Sequence, residues 1–188
     1  MAINLVKGAR VEIGLKKVGV GLGWKANEST NGYEYDLDAS AFMLGDNNKL
    51  PKDEFFVFYN NLVSPDGAVM SAGDDRTGGN GLGGNDDETI TVDLEKVDPA
   101  VKEILFTVTI HDAVNRRQNF GQVHNSYIRI YDEENGVEIA RYDLEEDFSI
   151  ETAVEVGSLY RHGNTWRFKA MGEGSRGGLE GLVSKYAY

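Results

Sequence analysis

Residues 126–132 read Ser-Tyr-Ile-Arg-Ile-Tyr-Asp, residues 133–136 Glu-Glu-Asn-Gly, and residues 138–144 Glu-Ile-Ala-Arg-Tyr-Asp-Leu. Apolar and polar side chains alternate in both outer runs, the period-two signature of a half-buried strand. The Asn135-Gly136 pair between them accepts the positive φ that a tight hairpin requires, which makes this the clearest hairpin in the chain. The pattern repeats outward. Arg10 to Leu15, Val18 to Trp24, Leu37 to Leu44, Glu54 to Tyr59, Ala68 to Ala72 and Thr89 to Leu94 read as strands, with Ile104 to His111 as a central one. Thr152 to Tyr160 and Thr165 to Met171 pair across His162-Gly163-Asn164, and Ser64-Pro65-Asp66-Gly67 is a turn with proline at its second position. Short strands with turn signals at such close intervals predict an all-β fold, a two-sheet β-sandwich.

Helical signals are few. Glu95 to Val101, interrupted by Pro99, allows one short helical turn, and Asn115 to Phe120 is a short helix or a loop. Leu179, Leu182, Val183 and Tyr186 recur at helical spacing, predicting a short C-terminal helix. The expected architecture is a single sandwich domain over residues 1–188, with short connecting helices and that final helix.

Composition narrows the function. The chain has no cysteine, which excludes disulfides, thiolate zinc sites and thiol chemistry. Its net charge of −12 disfavours nucleic-acid phosphates and unaided docking on anionic lipid, and suits a cation binder. No apolar stretch has the length of a membrane span or a signal peptide, so a cytoplasmic protein is expected.

Acidic residues gather around one loop. Residues 73–88 read Gly-Asp-Asp-Arg-Thr-Gly-Gly-Asn-Gly-Leu-Gly-Gly-Asn-Asp-Asp-Glu, placing Asp74 and Asp75 at one end and Asp86, Asp87 and Glu88 at the other. Such clustering is unfavourable unless water or a cation neutralises it. Glycine lets backbone carbonyls turn inward, and carboxylate plus carbonyl oxygen is the ligand set of calcium. A solvated acidic loop is the alternative reading. Asp36 and Asp38 stand two apart on a strand and share a face; they either face a basic partner or join the same cation site. Asn60 offers an amide oxygen at a strand end, while Asn61 is equally a turn former.

Other patterns carry less. Gly172-Glu-Gly-Ser-Arg-Gly177 matches a dinucleotide-binding fingerprint, but the eleven residues after it cannot complete a βαβ unit, so it reads as a tight connection to the last helix. Gly19, Gly21 and Gly23 alternate within a strand, where glycine admits a close backbone or aromatic neighbour such as Trp24. The histidines 111, 124 and 162 lack metal-ligand spacing, and no nucleophile elbow or phosphate loop occurs. The residues therefore argue against an enzyme.

Taken together, the segments resemble the TerD family of tellurium-resistance and chemical-stress proteins. The likeness runs through Val20–Trp24, Tyr35-Asp-Leu-Asp-Ala-Ser40, Val57-Phe-Tyr-Asn-Asn61, Gly73-Asp-Asp-Arg-Thr-Gly78, Asp86-Asp-Glu88, Arg117-Gln-Asn-Phe-Gly121, Ala140–Leu144 and Trp166–Ala170. It implies a calcium-binding β-sandwich in the cytoplasm, acting beside other proteins of the resistance system, some of them membrane-associated. Asp75 stands where the family pattern has asparagine, which keeps an oxygen donor and adds charge. The loop that follows is longer and lacks an internal aspartate. The candidate ligands are Asp36, Asp38, Asn60, Asp74, Asp75, Asp86, Asp87 and Glu88, enough with carbonyls and water for one or two ions. Two rivals stand beside this reading: a calcium-dependent membrane-surface module and a metal-assisted hydrolase.

Overall fold

The computed structural model describes residues 1–26, 35–72, 86–144, 148 and 150–188. Among these residues twelve strands form two six-stranded sheets. The first sheet takes β1 (Ile3–Leu5), β10 (Glu138–Asp143), β9 (Val123–Asp132), β3 (Lys17–Ala26), β7 (Glu88–Asp93) and β6 (Val69–Ser71), in that order. The second takes β2 (Arg10–Ile13), β12 (Thr165–Ser175), β11 (Ala153–His162), β8 (Glu103–Ile110), β4 (Leu37–Leu44) and β5 (Phe56–Val57). Among the described residues every strand pairing is antiparallel except β1 on β10, which is parallel. The Asn135-Gly136 hairpin forms as read, with Gly136 at φ +75° and its N–H donating to the Asp132 carbonyl at 2.8 Å.

Alternation sorts each strand into faces. On the first sheet Val18, Val20, Leu22, Ile90, Val92, Ile128 and Ile130 turn inward and are buried. From the second sheet Ala41, Met43, Phe106, Leu159 and Phe168 meet them to form the sandwich core. The second sheet is covered on its outer side as well. There α2 (Gly178–Tyr186) lays Leu182 and Tyr186 over Phe42, whose ring lies 5.3 Å from that of Tyr186. Glu155, buried on that outer face, accepts from the Tyr186 hydroxyl and from Lys185 Nζ at 3.0 Å. Burial first, and the carboxylate second, push the Tyr186 phenol far above the ordinary tyrosine range. The Leu50 N–H donates to the Tyr186 carbonyl at 2.8 Å and fastens the helix at its far end.

Two sequence readings need correction, one left open is resolved, and one strand was missed. Glu54 to Tyr59 is not one strand: Asp53–Phe55 form a 3₁₀ turn, only Phe56–Val57 pair with β4, and the chain then turns back. The Asn61 side-chain amide donates to the carbonyls of Glu54 and Phe56 at 3.1 and 2.7 Å, which holds that turn. The Gly172–Gly177 stretch is no simple connection, since β12 runs on through Gly174 to Ser175. The helix near residue 115 is α1, Ala113–Arg116, with Asp112 and Arg117 at positive φ on either side. Strand β1 had no sequence signal, because two of its three residues are exposed.

At Gly157, beside a register shift in β11, an added Cβ would lie 2.4 Å from Phe168 Cζ and 2.9 Å from the Lys169 carbonyl oxygen. Phe168 is fully buried and the carbonyl belongs to the sheet, so neither can yield cheaply. Gly157→Ala is expected to destabilise the chain by about 1–3 kcal/mol, read as a lower urea midpoint; an unchanged midpoint would show that this contact has slack.

Candidate metal centre

The pairing registers bring the ends of β3, β6, β8, β10 and β12 and the beginnings of β4, β7, β9 and β11 to one end of the sandwich. The acidic loop enters β7 there, and its three closing acids diverge. Asp86 folds onto the outer face of the first sheet, where Gly21 leaves room for it: a Cβ on Gly21 would stand 2.3 Å from Asp86 Oδ2. Arg129, on the same face of β9, donates from Nε to both carboxylate oxygens at 2.9 Å and from Nη2 to Oδ2 at 2.6 Å. The Tyr127 hydroxyl donates to Oδ1 at 2.7 Å. Both ends of this pair are buried, Asp86 at 4% exposure and Arg129 at 4%. A carboxylate so deep is tolerable only with this paired, multiply hydrogen-bonded geometry.

The surroundings reinforce the pair. The Arg129 guanidinium lies 4.4 Å from the Tyr131 ring centroid, and the Arg141 guanidinium 3.8 Å from that of Tyr127. The hydrogen bond to Asp86 holds Arg129 above its ordinary value against the opposing effect of burial. Burial first, then the bond to Asp86, push the Tyr127 phenol far upward. Gly19 and Gly23 sit under the rings of Tyr131 and Tyr127, whose carbons lie 2.1 and 2.3 Å from where a Cβ would stand. The close neighbours of the glycine row are thus two tyrosines and Asp86. Trp24 instead borders a small apolar cleft with Leu37 and Val108.

Asp87 stays at the strand end. Its N–H donates to the Leu22 carbonyl at 2.9 Å, and its Oδ2 accepts from the Trp24 N–H at 2.8 Å, beside a register shift between β3 and β9. Glu88 turns inward with Ile90 and Val92 and is 7% exposed. Its Oε2 accepts from the Ala39 N–H at 3.3 Å, crossing from the first sheet to the second. Strand β5 pairs with β4 only at Ala41 and Phe42, so this carboxylate serves the β4 backbone beyond the reach of β5.

Asp36 precedes β4, where its carbonyl accepts from the His111 N–H at 2.8 Å. Asp38 lies on β4 opposite Thr109 and lines a groove on the outer side of the second sheet. Asn60 is exposed in the turn after β5, next to Tyr59, which lines the same groove. Asp74 and Asp75 lie outside the described residues. The strand ends therefore gather Asp36, Asp38, Asp86, Asp87 and Glu88 at one end of the molecule, on different faces. Among the described residues no three acidic or histidine side chains converge on one point. In chemistry the donors fit a hard cation, since all are oxygens.

Arg129 and Tyr127 were not among the residues singled out from sequence, and Gly21 was read only as admitting a close backbone or aromatic neighbour. Their signal was present: Tyr127, Arg129 and Tyr131 alternate on one strand face, and Gly19, Gly21 and Gly23 alternate on its neighbour. That an acid bridges the two rows depends on tertiary packing.

The TerD domain family matches residues 1–186. The chain is 49% identical to the tellurium resistance protein TerD of Serratia marcescens, covering 99% of this chain and 97% of that one. It is 46% identical to general stress protein 16U of Bacillus subtilis, with coverage of 99% and 97%. The crystal structure of a homologue of the telluride resistance protein TerD from Streptomyces coelicolor shares the fold. Its TM-score is 0.69 at 23% identity, covering 91% of this chain and 96% of the other.

Removing one partner of a buried ion pair strands the other. Arg129→Met is expected to cost about 3–5 kcal/mol in urea denaturation, and adding Asp86→Leu to recover a good part of it. If the single and double variants prove equally unstable, the stranded charge is not the cause of the loss.

Proposed function

The chain belongs to the TerD domain family of tellurium-resistance and stress proteins, and from that premise we propose that it is a calcium-binding cytoplasmic protein. In this reading it contributes to resistance against tellurite and chemical stress through calcium-dependent contacts with other proteins of the resistance system, some of them membrane-associated. No helix among the described residues is long and apolar enough to cross a membrane.

The observation that carries the calcium reading is the crossing of Glu88 to β4. It ties the root of the acidic loop to the strand that bears Asp38, with Asp36 just ahead of it. Calcium takes roughly six to eight oxygens, carboxylate, carbonyl and water alike. Asp36, Asp38, Asn60, Asp87 and Glu88, with Asp74 and Asp75 from the loop, are the donors proposed to hold the ion. Asp86 is already engaged by Arg129 and Tyr127, so in this reading it chiefly fixes the root of the loop. Bound calcium would supply positive charge where these carboxylates otherwise repel.

A binding protein suits the geometry better than an enzyme does. His111 follows β8, His124 lies on β9 in the other sheet and His162 closes β11 at the opposite end. The three histidines therefore do not share a strand or a loop.

A ligand that binds only the folded state stabilises it by about 2.7 kcal/mol at a hundredfold excess over its dissociation constant. Chelator-treated protein should therefore melt at a clearly higher temperature in millimolar calcium, and magnesium should raise it less, because magnesium demands a tighter octahedron. Asp38→Asn should weaken calcium binding in calorimetry while leaving apo stability level or slightly raised. An unchanged melting temperature, or full affinity in Asp38→Asn, would remove the ion or this strand from the account.

A further inference from the structure

A groove of about 990 Å³ runs along the outer side of the second sheet, between α2 and the β4–β5 edge. That volume lies at the upper end of what ligand pockets span. One wall is aromatic: the rings of Phe56 and Phe58 stack at 4.4 Å, and Tyr59 meets Phe58 edge-on at 5.1 Å. The opposite wall is the apolar side of α2, through Leu179 and Val183. Tyr59 at 44% and Val114 at 84% exposure leave apolar surface open along the rim. Exposed apolar surface rimmed by polar groups is what interaction sites present.

The groove is also negative. Asp38, Asp53, Asp112 and Glu180 line it against one guanidinium, Arg176, and one imidazole, His111. Arg116 stands 3.9 Å from Asp112 and offsets part of that one charge. Elsewhere on this sheet face the chain already shows the pairing such a surface makes. Lys185 Nζ bonds the Glu155 carboxylate at 3.0 Å while lying 5.0 Å from the Tyr186 ring centroid. Carboxylates beside open aromatic faces hold cations by charge and by cation–π attraction together.

We propose that this groove docks a basic, amphipathic segment of a partner protein, with arginine or lysine set between the acidic rim and the Phe58–Tyr59 wall and an aliphatic anchor against α2. The chain's charge of −12 opposes the other occupants, namely a second copy, an anionic membrane or a nucleic acid. Nothing in the docking requires calcium, so the proposal stands or falls apart from the calcium reading.

Fluorescence anisotropy in chelator, using short labelled peptides, tests it. A peptide alternating arginine and leucine should bind, and one alternating glutamate and leucine should not. Asp53→Lys with Glu180→Lys should weaken the arginine peptide at least about tenfold, as should Tyr59→Ser. Glu133→Lys with Glu134→Lys, on the hairpin at the opposite end, changes net charge equally and should leave affinity near that of the parent. Asp53, Tyr59, Glu134 and Glu180 are exposed and Glu133 is half-buried, so no core packing is at stake. Absence of binding to the arginine peptide, binding of the glutamate peptide, or an equal loss in the hairpin variant would each overturn the proposal.

Discussion

The bidentate pair between Asp86 and Arg129 is the interaction on which the acidic end of this sandwich depends. It lies on the outer face of a sheet, yet it is buried, because tyrosine rings close over it and a glycine beneath removes the atom that would block it. Pairing matters here for what its absence would cost. A carboxylate at this depth without a guanidinium would be strongly destabilising, whereas an apolar pair in its place would be tolerated. Its value is therefore positional. The pair fixes Asp86 on the outer face and brings Asp87 beside the end of β3, while Glu88 turns inward because it shares a face of β7 with Ile90 and Val92.

Glu88 extends that order across the molecule. Its carboxylate reaches the backbone of β4 in the other sheet, so the root of the loop and the strand carrying Asp38 are held in one piece. The second sheet, in turn, has two covered faces. The inner one packs the sandwich, and the outer one carries α2 and a groove whose floor includes Asp38. Asp38 thus stands between the acidic end and the groove. Occupation of one by a cation would change the field felt in the other, a coupling that follows from shared charge.

The fold was legible wherever alternation and turn chemistry agreed. Leu37–Leu44 and the Asn135-Gly136 hairpin formed as read, because each local preference coincided with the tertiary environment. Glu54–Tyr59 failed because the Asn61 amide captures two carbonyls and turns the chain, a contact that no strand propensity reports. The site was legible as a collection of acids at loop ends. How those acids divide among faces was not. The partner of Asp86 lies 43 residues away, and nothing in the local pattern distinguishes an acid that meets an arginine from one that meets a cation.

We propose that calcium binds at this end and tightens the joint between the two sheets. One backbone N–H reports on that joint, Ala39 on Glu88 Oε2, and two report on the root of the loop beside it in the first sheet, Asp87 on the Leu22 carbonyl and Trp24 on Asp87 Oδ2. Residue-resolved amide hydrogen exchange, in chelator and then in saturating calcium, measures it directly. The account predicts markedly slower exchange at all three in calcium, with amides at the far hairpin, such as Gly136, unchanged. Equal rates at the three in both conditions would contradict it.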